Sequence, residues 1–139
     1  VRQVSLGKID MGFHSLNAES QKLKSIKEME TEAIKGLDFY PGVAETCTST
    51  SFSHIFQGGY SSGYYSYKWA EVLSADAYAA FEETAQSDGS PSLETGRRYR
   101  QAILEAGGSR PALESFIAFR GREPSINALL RHQGMAAKG

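Results

Sequence analysis

A single cysteine, Cys47, occurs in the sequence, so one chain can form neither an internal disulfide nor a cysteine-built metal site. Charge of one sign is also lacking. Fifteen Lys and Arg stand against 16 Asp and Glu, a formal net charge of −1. Nucleic acid or an anionic membrane surface calls for a basic excess, so neither is expected as a partner. No apolar run approaches membrane-spanning length, and no secretory signal pattern is present. The three histidines, His14, His54 and His132, are far apart in the chain, and no His-Glu-x-x-His string exists. A self-contained zinc site is therefore not visible. No segment alternates apolar and polar residues as a half-buried strand does. An initiator Met is absent too: the chain opens at Val1, already inside an apolar period, and a piece of something larger is expected. The lone cysteine is compatible with a reducing compartment.

What is present is a chain of 139 residues, 40% apolar and 22% charged, enough for one domain with a modest core. Its apolar residues recur at three- and four-residue steps, so the expected architecture is all-α, one helical domain over residues 1–139. Leu6, Ile9, Phe13 and Leu16 predict a first helix, weakened by Gly7 and Gly12 unless it packs closely on a neighbour. Residues 17–20 read as a break. A second helix is expected over 20–37, with Leu23, Ile26, Ala33, Ile34 and Leu37 on its apolar side. Pro41-Gly42 and the following Thr/Ser cluster mark a loop. Trp69, Val72, Leu73, Ala77, Ala80 and Phe81 trace the inner face of another helix. A further helix starts at Ser90–Ser92 and stops at Gly107-Gly108. Two more follow, with Leu113, Phe116, Ile117 and Phe119, then Ile126, Leu129 and Leu130, turned inward. Glu28, Glu30, Glu32, Glu82 and Glu83 read as solvated faces. Arg97, Arg98 and Arg100 read as surface, while Arg110, Arg120 and Arg122 flank turns and are placed to meet carboxylates or helix ends.

The segment "FSHIFQGGYSSGYYSYKW" stands apart, with its tyrosines crowded among glycines. On a helical wheel Tyr60, Tyr64 and Tyr67 fall at about 0°, 40° and −20°, one narrow face. Tyr65 and Trp69 fall on another side, toward a core. Gly58 and Gly59 let a backbone approach a ligand closely, and His54 lies one turn of chain earlier. Phenols that donate near a helix N-terminus suit a peptide carbonyl or a developing oxyanion, without the desolvation cost of a charge. Spacing alone supports a plainer reading as well, since aromatic stripes usually pack a core. His54 by itself is as easily structural.

The string His-x-x-x-Gly-Gly-Tyr-x-x-Gly-Tyr-Tyr-x-Tyr, within "FSHIFQGGYSSGYYSYKWAEVLSADAY", resembles the C-terminal signature of the thimet oligopeptidase family of zinc metallopeptidases, in its oligopeptidase A and peptidyl-dipeptidase branch. "GRRYRQAILEAGGSRPALESFIAFRGREPSINALLRHQG" resembles that family's tail, so the likeness covers at least residues 52–134. The resemblance implies a cytoplasmic enzyme that hydrolyses short peptides. Tyr67 would donate to the oxyanion of the tetrahedral intermediate, with Tyr60 binding substrate backbone and sharing that work. His54 would hydrogen-bond the substrate near the scissile bond. Gly58 and Gly59 would let the loop close over a peptide, and Tyr64 would line a secondary pocket. The family's His-Glu-x-Gly-His motif, with its general base, and the later Glu ligand are absent. The zinc of the parent enzyme is thus not expected in this chain alone, and no metal-ligating residue is assigned here. The implied partners are short peptides and a zinc-bearing part of the same protein, lying before Val1, without which the chain would be inactive. The alternative is a non-catalytic helical module for peptide binding or structural support.

Overall fold

The computed structural model describes residues 1–15, 25–37, 43 and 45–135. Among them are seven α-helices and no strand, so the chain is all-α. Leu16, the break at 17–20, Leu23 and Pro41-Gly42 lie outside the described residues. The chain divides into two compact units, Val1–Lys68 and Trp69–Gly139.

In the first unit, helix α1 (Arg2–His14) lies against α2 (Ile26–Ala33). The two approach so closely that a Cβ on Gly12 would stand 3.0 Å from the Ala33 Cβ. That closeness explains why α1 carries a residue of poor helix propensity there. Helix α2 begins later than the periodicity predicts because Ser25 builds a capping box with Glu28. A 3₁₀ turn, Ser49–Ser51, and a single helical turn, α3 (Ser53–Phe56), follow. Ile9, Phe52, Ile55 and Tyr64 form the core, with Leu6, Phe13, Ala33 and Ile34 packed around it. Ile26, expected inward, is exposed, whereas Glu30, expected in solvent, is buried. The Glu30 carboxylate accepts the Thr48 and Ser49 N–H groups and so ties α2 to the 3₁₀ turn.

Helix α4 (Ser66–Glu83) begins in the first unit and supplies the long element of the second. Around it in the second unit are α5 (Leu93–Tyr99), which runs on into a π turn (Arg100–Leu104), then α6 (Ala112–Arg120) and α7 (Asn127–His132). Ser92 caps α5, and Gly107 follows the π turn with φ +51°, near the expected stop. Phe81, Tyr99 and Phe119 meet edge to face or tilted, with the Arg98 guanidinium 5.9 Å from the Phe119 ring centre.

The buried stripe of α4 is Val72, Ala75, Asp76, Ala79 and Ala80. It is turned from the expected face by roughly a quarter of the helix circumference. Trp69 is consequently exposed, as are Leu104, Leu113, Ile117 and Ile126 on other elements. Asp76 decides the rotation. Its side chain is 1% exposed and accepts bonds from Arg120 Nε at 3.1 Å, both Arg122 Nη atoms at 2.6 and 2.7 Å, and the Ser125 N–H at 2.7 Å. Arg120 also forks onto both Glu83 oxygens at 2.8 and 2.9 Å. Small alanines on the same face let α7 approach, with Ala128 against Ala75 and Ala79. Arg120 and Arg122 thus meet carboxylates as their flanking position suggests. Glu82 is likewise paired, with Arg131 and His132.

Burial pushes the Asp76 carboxyl up, but the Arg122 hydrogen bonds, the Ser125 N–H and both guanidinium charges outweigh it, and its pKa falls below the ordinary 3.8. Glu30 is also pushed up by burial, and its bonds with Ser49, Thr48 and Cys47 bring it below 4.5. A lowered carboxyl pKa adds stability that is complete above the unfolded-state value, about 4, and is lost as pH falls through the folded-state value. Urea unfolding followed by circular dichroism is therefore expected to show near-constant stability around neutrality and a decline below about pH 4. Asp76→Asn, which leaves Arg120 short of its buried partner, is expected to lower stability at pH 7 by about 3–5 kcal/mol and to flatten that decline.

Candidate functional site

The tyrosine-rich segment up to Lys68, with His54, Tyr60, Tyr64 and Tyr67, lies in the first unit. Helix α3 ends at Phe56, and both Gln57 and Gly58 return their N–H groups to the Ser53 carbonyl. The Tyr60 N–H then reaches back to the His54 carbonyl at 3.1 Å, and the Ser61 hydroxyl donates to the Ile55 carbonyl. This reversal needs glycine at 58, since a Cβ there would stand 2.8 Å from the His54 Cα. Gly59 follows with φ +77°. Gly58 and Gly59 therefore shape a turn over His54. They do not directly precede a helix, because α4 begins only at Ser66.

Between the glycines and α4 the chain makes tight turns. Gly63, Ser66 and Tyr67 donate to the carbonyls three residues back, those of Tyr60, Gly63 and Tyr64. Such winding keeps residues three and four apart on one side, as a helix would. Tyr60, Tyr64 and Tyr67 accordingly share a face, although only Tyr67 stands in α4. The Tyr60 and Tyr67 rings stack with centres 5.0 Å apart and planes 27° from parallel. Tyr64 packs at 5.1 Å from Tyr67 and 6.3 Å from Tyr60. His54 lies 5.8 Å from both Tyr60 and Tyr64.

The three phenols do not stand alike. Tyr64 is buried, its ring edge-to-face on Phe52 at 4.7 Å, so for this tyrosine the packing reading holds. Tyr60 is half-buried, and Tyr67 and His54 are exposed. The result is a floor of buried aromatics with two phenols and an imidazole along its rim. A hydrogen bond with Tyr60, aided by desolvation and by both neighbouring phenols, raises the Tyr67 pKa above 10.0. Tyr67 therefore keeps its proton at neutral pH and can donate it in a hydrogen bond. Tyr65 points elsewhere, as expected from the wheel, yet it is exposed and not turned toward a core.

One residue escapes a reading of this segment because it lies some fifty positions earlier. Asp10 on α1 is fully buried and accepts the Ser62 and Tyr64 N–H groups at 2.9 Å each. His14 joins it through Nδ1 at 2.8 Å and is not isolated. An aspartate inside an amphipathic helix face, one position after Ile9, was the available signal.

Zinc, which the family resemblance implies, needs about three converging ligands. Among the described residues no three His, Cys, Asp or Glu side chains gather so as to hold a metal ion. His14 and His132 each meet a single carboxylate, and His54 sits among aromatic rings. These residues do not fit a zinc site. A concavity of about 390 Å³ in the second unit is lined by Asp76, Glu83, Arg122 and Arg131. Asp76 pairs there with Arg122, Glu83 with Arg120 and Arg131 with Glu82.

A family model described as peptidase family M3 matches residues 1–135. Two Arabidopsis thaliana relatives are each 44% identical over 137 residues, 99% of this chain. One is named an organellar oligopeptidase A, chloroplastic/mitochondrial, the other a "probable cytosolic oligopeptidase A". Oligopeptidase A of Haemophilus influenzae is 45% identical over 140 residues, 97% of this chain. The matched stretch is 17%, 19% and 19% of these three proteins, so the chain spans less than a fifth of their length. With nearly its whole length matched, the chain belongs to peptidase family M3.

Proposed function

We propose that this chain is the substrate-facing half of a peptide-hydrolysing site, with the stacked Tyr60–Tyr67 pair as its hydrogen-bonding wall. That pair is the observation that carries the proposal. Two phenols, held over a buried aromatic floor beside His54, offer donors along an accessible rim. Tyr67 gives its hydroxyl proton as a hydrogen bond to the oxygen that becomes negative as the peptide carbonyl turns tetrahedral. Tyr60 bonds substrate backbone and shares that oxygen. His54 holds the substrate near the scissile bond. Gly58 and Gly59 bring main chain against the peptide, and Tyr64 supports both outer rings from below.

Zinc, when bound in the parent peptidase, would polarise the carbonyl and activate water. Its ligands and the general base belong, in this proposal, to another part of the same protein. Short peptides are the proposed substrates. The cytoplasm is the proposed compartment, in keeping with the single Cys47 and with the name of one Arabidopsis relative.

In the active peptidase that contains this segment, Tyr67→Phe is expected to lower kcat by about 10²–10³-fold with far less change in KM. Tyr65→Phe is the matched control and should retain most activity, since its ring lies off the cluster. Steady-state kinetics on a quenched peptide, with melting temperatures for both variants, reads the difference. Near wild-type kcat for Tyr67→Phe beside a loss in Tyr65→Phe would reverse the assignment of faces.

The chain by itself is expected to hold no stoichiometric zinc at neutral pH and to cleave no peptide, because among the described residues its histidines do not converge with other ligands. Metal analysis after dialysis against zinc-containing buffer checks this. One tightly held zinc per chain would contradict it.

A further inference from the structure

We infer that Asp10 is a positioning residue for the tyrosine cluster, fixing from the core side the backbone that holds Tyr60 and Tyr67 together. This rests on the proposal that those phenols face the peptide.

The Asp10 side chain is 0% exposed, on the α1 face that also buries Ile9. Packing alone would be met as well by an apolar residue of similar size. What the carboxylate adds is a pair of directed acceptors. Oδ1 takes the Ser62 N–H and Oδ2 the Tyr64 N–H, each at 2.9 Å, so the two oxygens bracket Gly63. Ser62 is the one non-glycine among the described residues with positive φ, +58°. An L side chain rarely adopts that conformation, and it persists only where surroundings impose it. Here Asp10 imposes it. Losing the acceptors would strand two N–H groups at the core boundary, and the turn would have to rearrange to satisfy them. Because Tyr60 precedes this turn and Tyr67 follows it, the rearrangement would separate the stacked rings.

His14 secures the carboxylate in turn. Its Nδ1 faces two acceptors, Asp10 Oδ1 at 2.8 Å and the Asp10 carbonyl at 2.9 Å, so Nδ1 carries the proton. The ring also lies 5.9 Å from Phe56. The chain of contacts runs from His14 through Asp10 to the Ser62–Tyr64 turn and then to the two outer phenols. Asp10 touches no substrate.

Asp10→Asn keeps the shape but turns one acceptor into a donor. In this chain, hydrogen exchange read by NMR should show the Ser62 and Tyr64 amides losing protection by about tenfold or more, while amides around Asp76 keep theirs. In the active peptidase containing the segment, kcat should fall on the order of ten- to a hundred-fold with KM changed far less. His14→Phe, which keeps a ring on Phe56 and removes the Nδ1 donor, should move both readouts the same way by less. It also serves if Asp10→Asn does not fold. Wild-type exchange at Ser62 and Tyr64 in the folded variants overturns the inference. So does a loosened turn with unchanged kcat, or a kcat loss no larger than the loss of folded protein. The parallel Tyr67→Phe variant separates the two levels. If it is slow while Asp10→Asn is wild type, only the positioning role falls. If it too is wild type, the proposed function falls.

Discussion

The Ser62 and Tyr64 N–H groups share one carboxylate, that of Asp10, and the shape of the first unit around its tyrosines follows from that sharing. A buried carboxylate without partners would be strongly unfavourable, and three converging donors offset that cost. Those donors come from α1 itself and from a turn about fifty residues later. Joining them brings α1 against the aromatic floor and forces the positive φ of Ser62. The second unit is built on the same principle with different chemistry. There Asp76 collects two guanidinium groups and an amide, and α4 turns its alanine face inward to suit.

Rigidity at the base and exposure at the rim are what the proposed chemistry requires. Stabilising a charge that exists only in the transition state works best with donors already in place, since moving them at the moment of reaction would consume the gain. Tyr64 on Phe52, over Ile9 and Ile55, supplies the fixed base. Gly58 packs directly onto His54 with no side chain between them. Tyr67 retains its proton because its hydrogen bond with Tyr60 and its neighbouring phenols disfavour the phenolate. A tyrosinate would be an acceptor and would repel an oxyanion.

The sequence made the helices legible, together with the membership of the tyrosine face, because both depend on spacing of three and four residues. Tyr60, Tyr64 and Tyr67 are neighbours for the reason the wheel supplies, even though tight turns replace the helix through Tyr60 and Tyr64. Which side of a helix is buried was less legible. Side-chain size favoured Trp69 and Phe81 as the inner line of α4, but a salt-bridged aspartate and its alanine neighbours took that place. The Asp76 partners lie more than forty residues away, and no local pattern reveals such a pairing. Glu30 and Asp10 were obscured in the same way. An acidic residue in a helix reads as solvated until the backbone N–H groups that it will meet are placed. Tyr64, assigned to a secondary pocket by the resemblance, is buried edge-to-face on Phe52, a contact its local spacing does not reveal.

The most direct test of the tyrosine wall is a crystal structure of the active peptidase containing this segment, bound to a phosphinic peptide. Its tetrahedral phosphorus presents oxygens where the hydrolytic intermediate would. The expected result is one phosphinate oxygen about 2.7–3.1 Å from the Tyr67 hydroxyl, with the Tyr60 hydroxyl bonded to that oxygen or to adjacent peptide backbone. A phosphinate bound with both hydroxyls beyond hydrogen-bond reach would contradict the central claim.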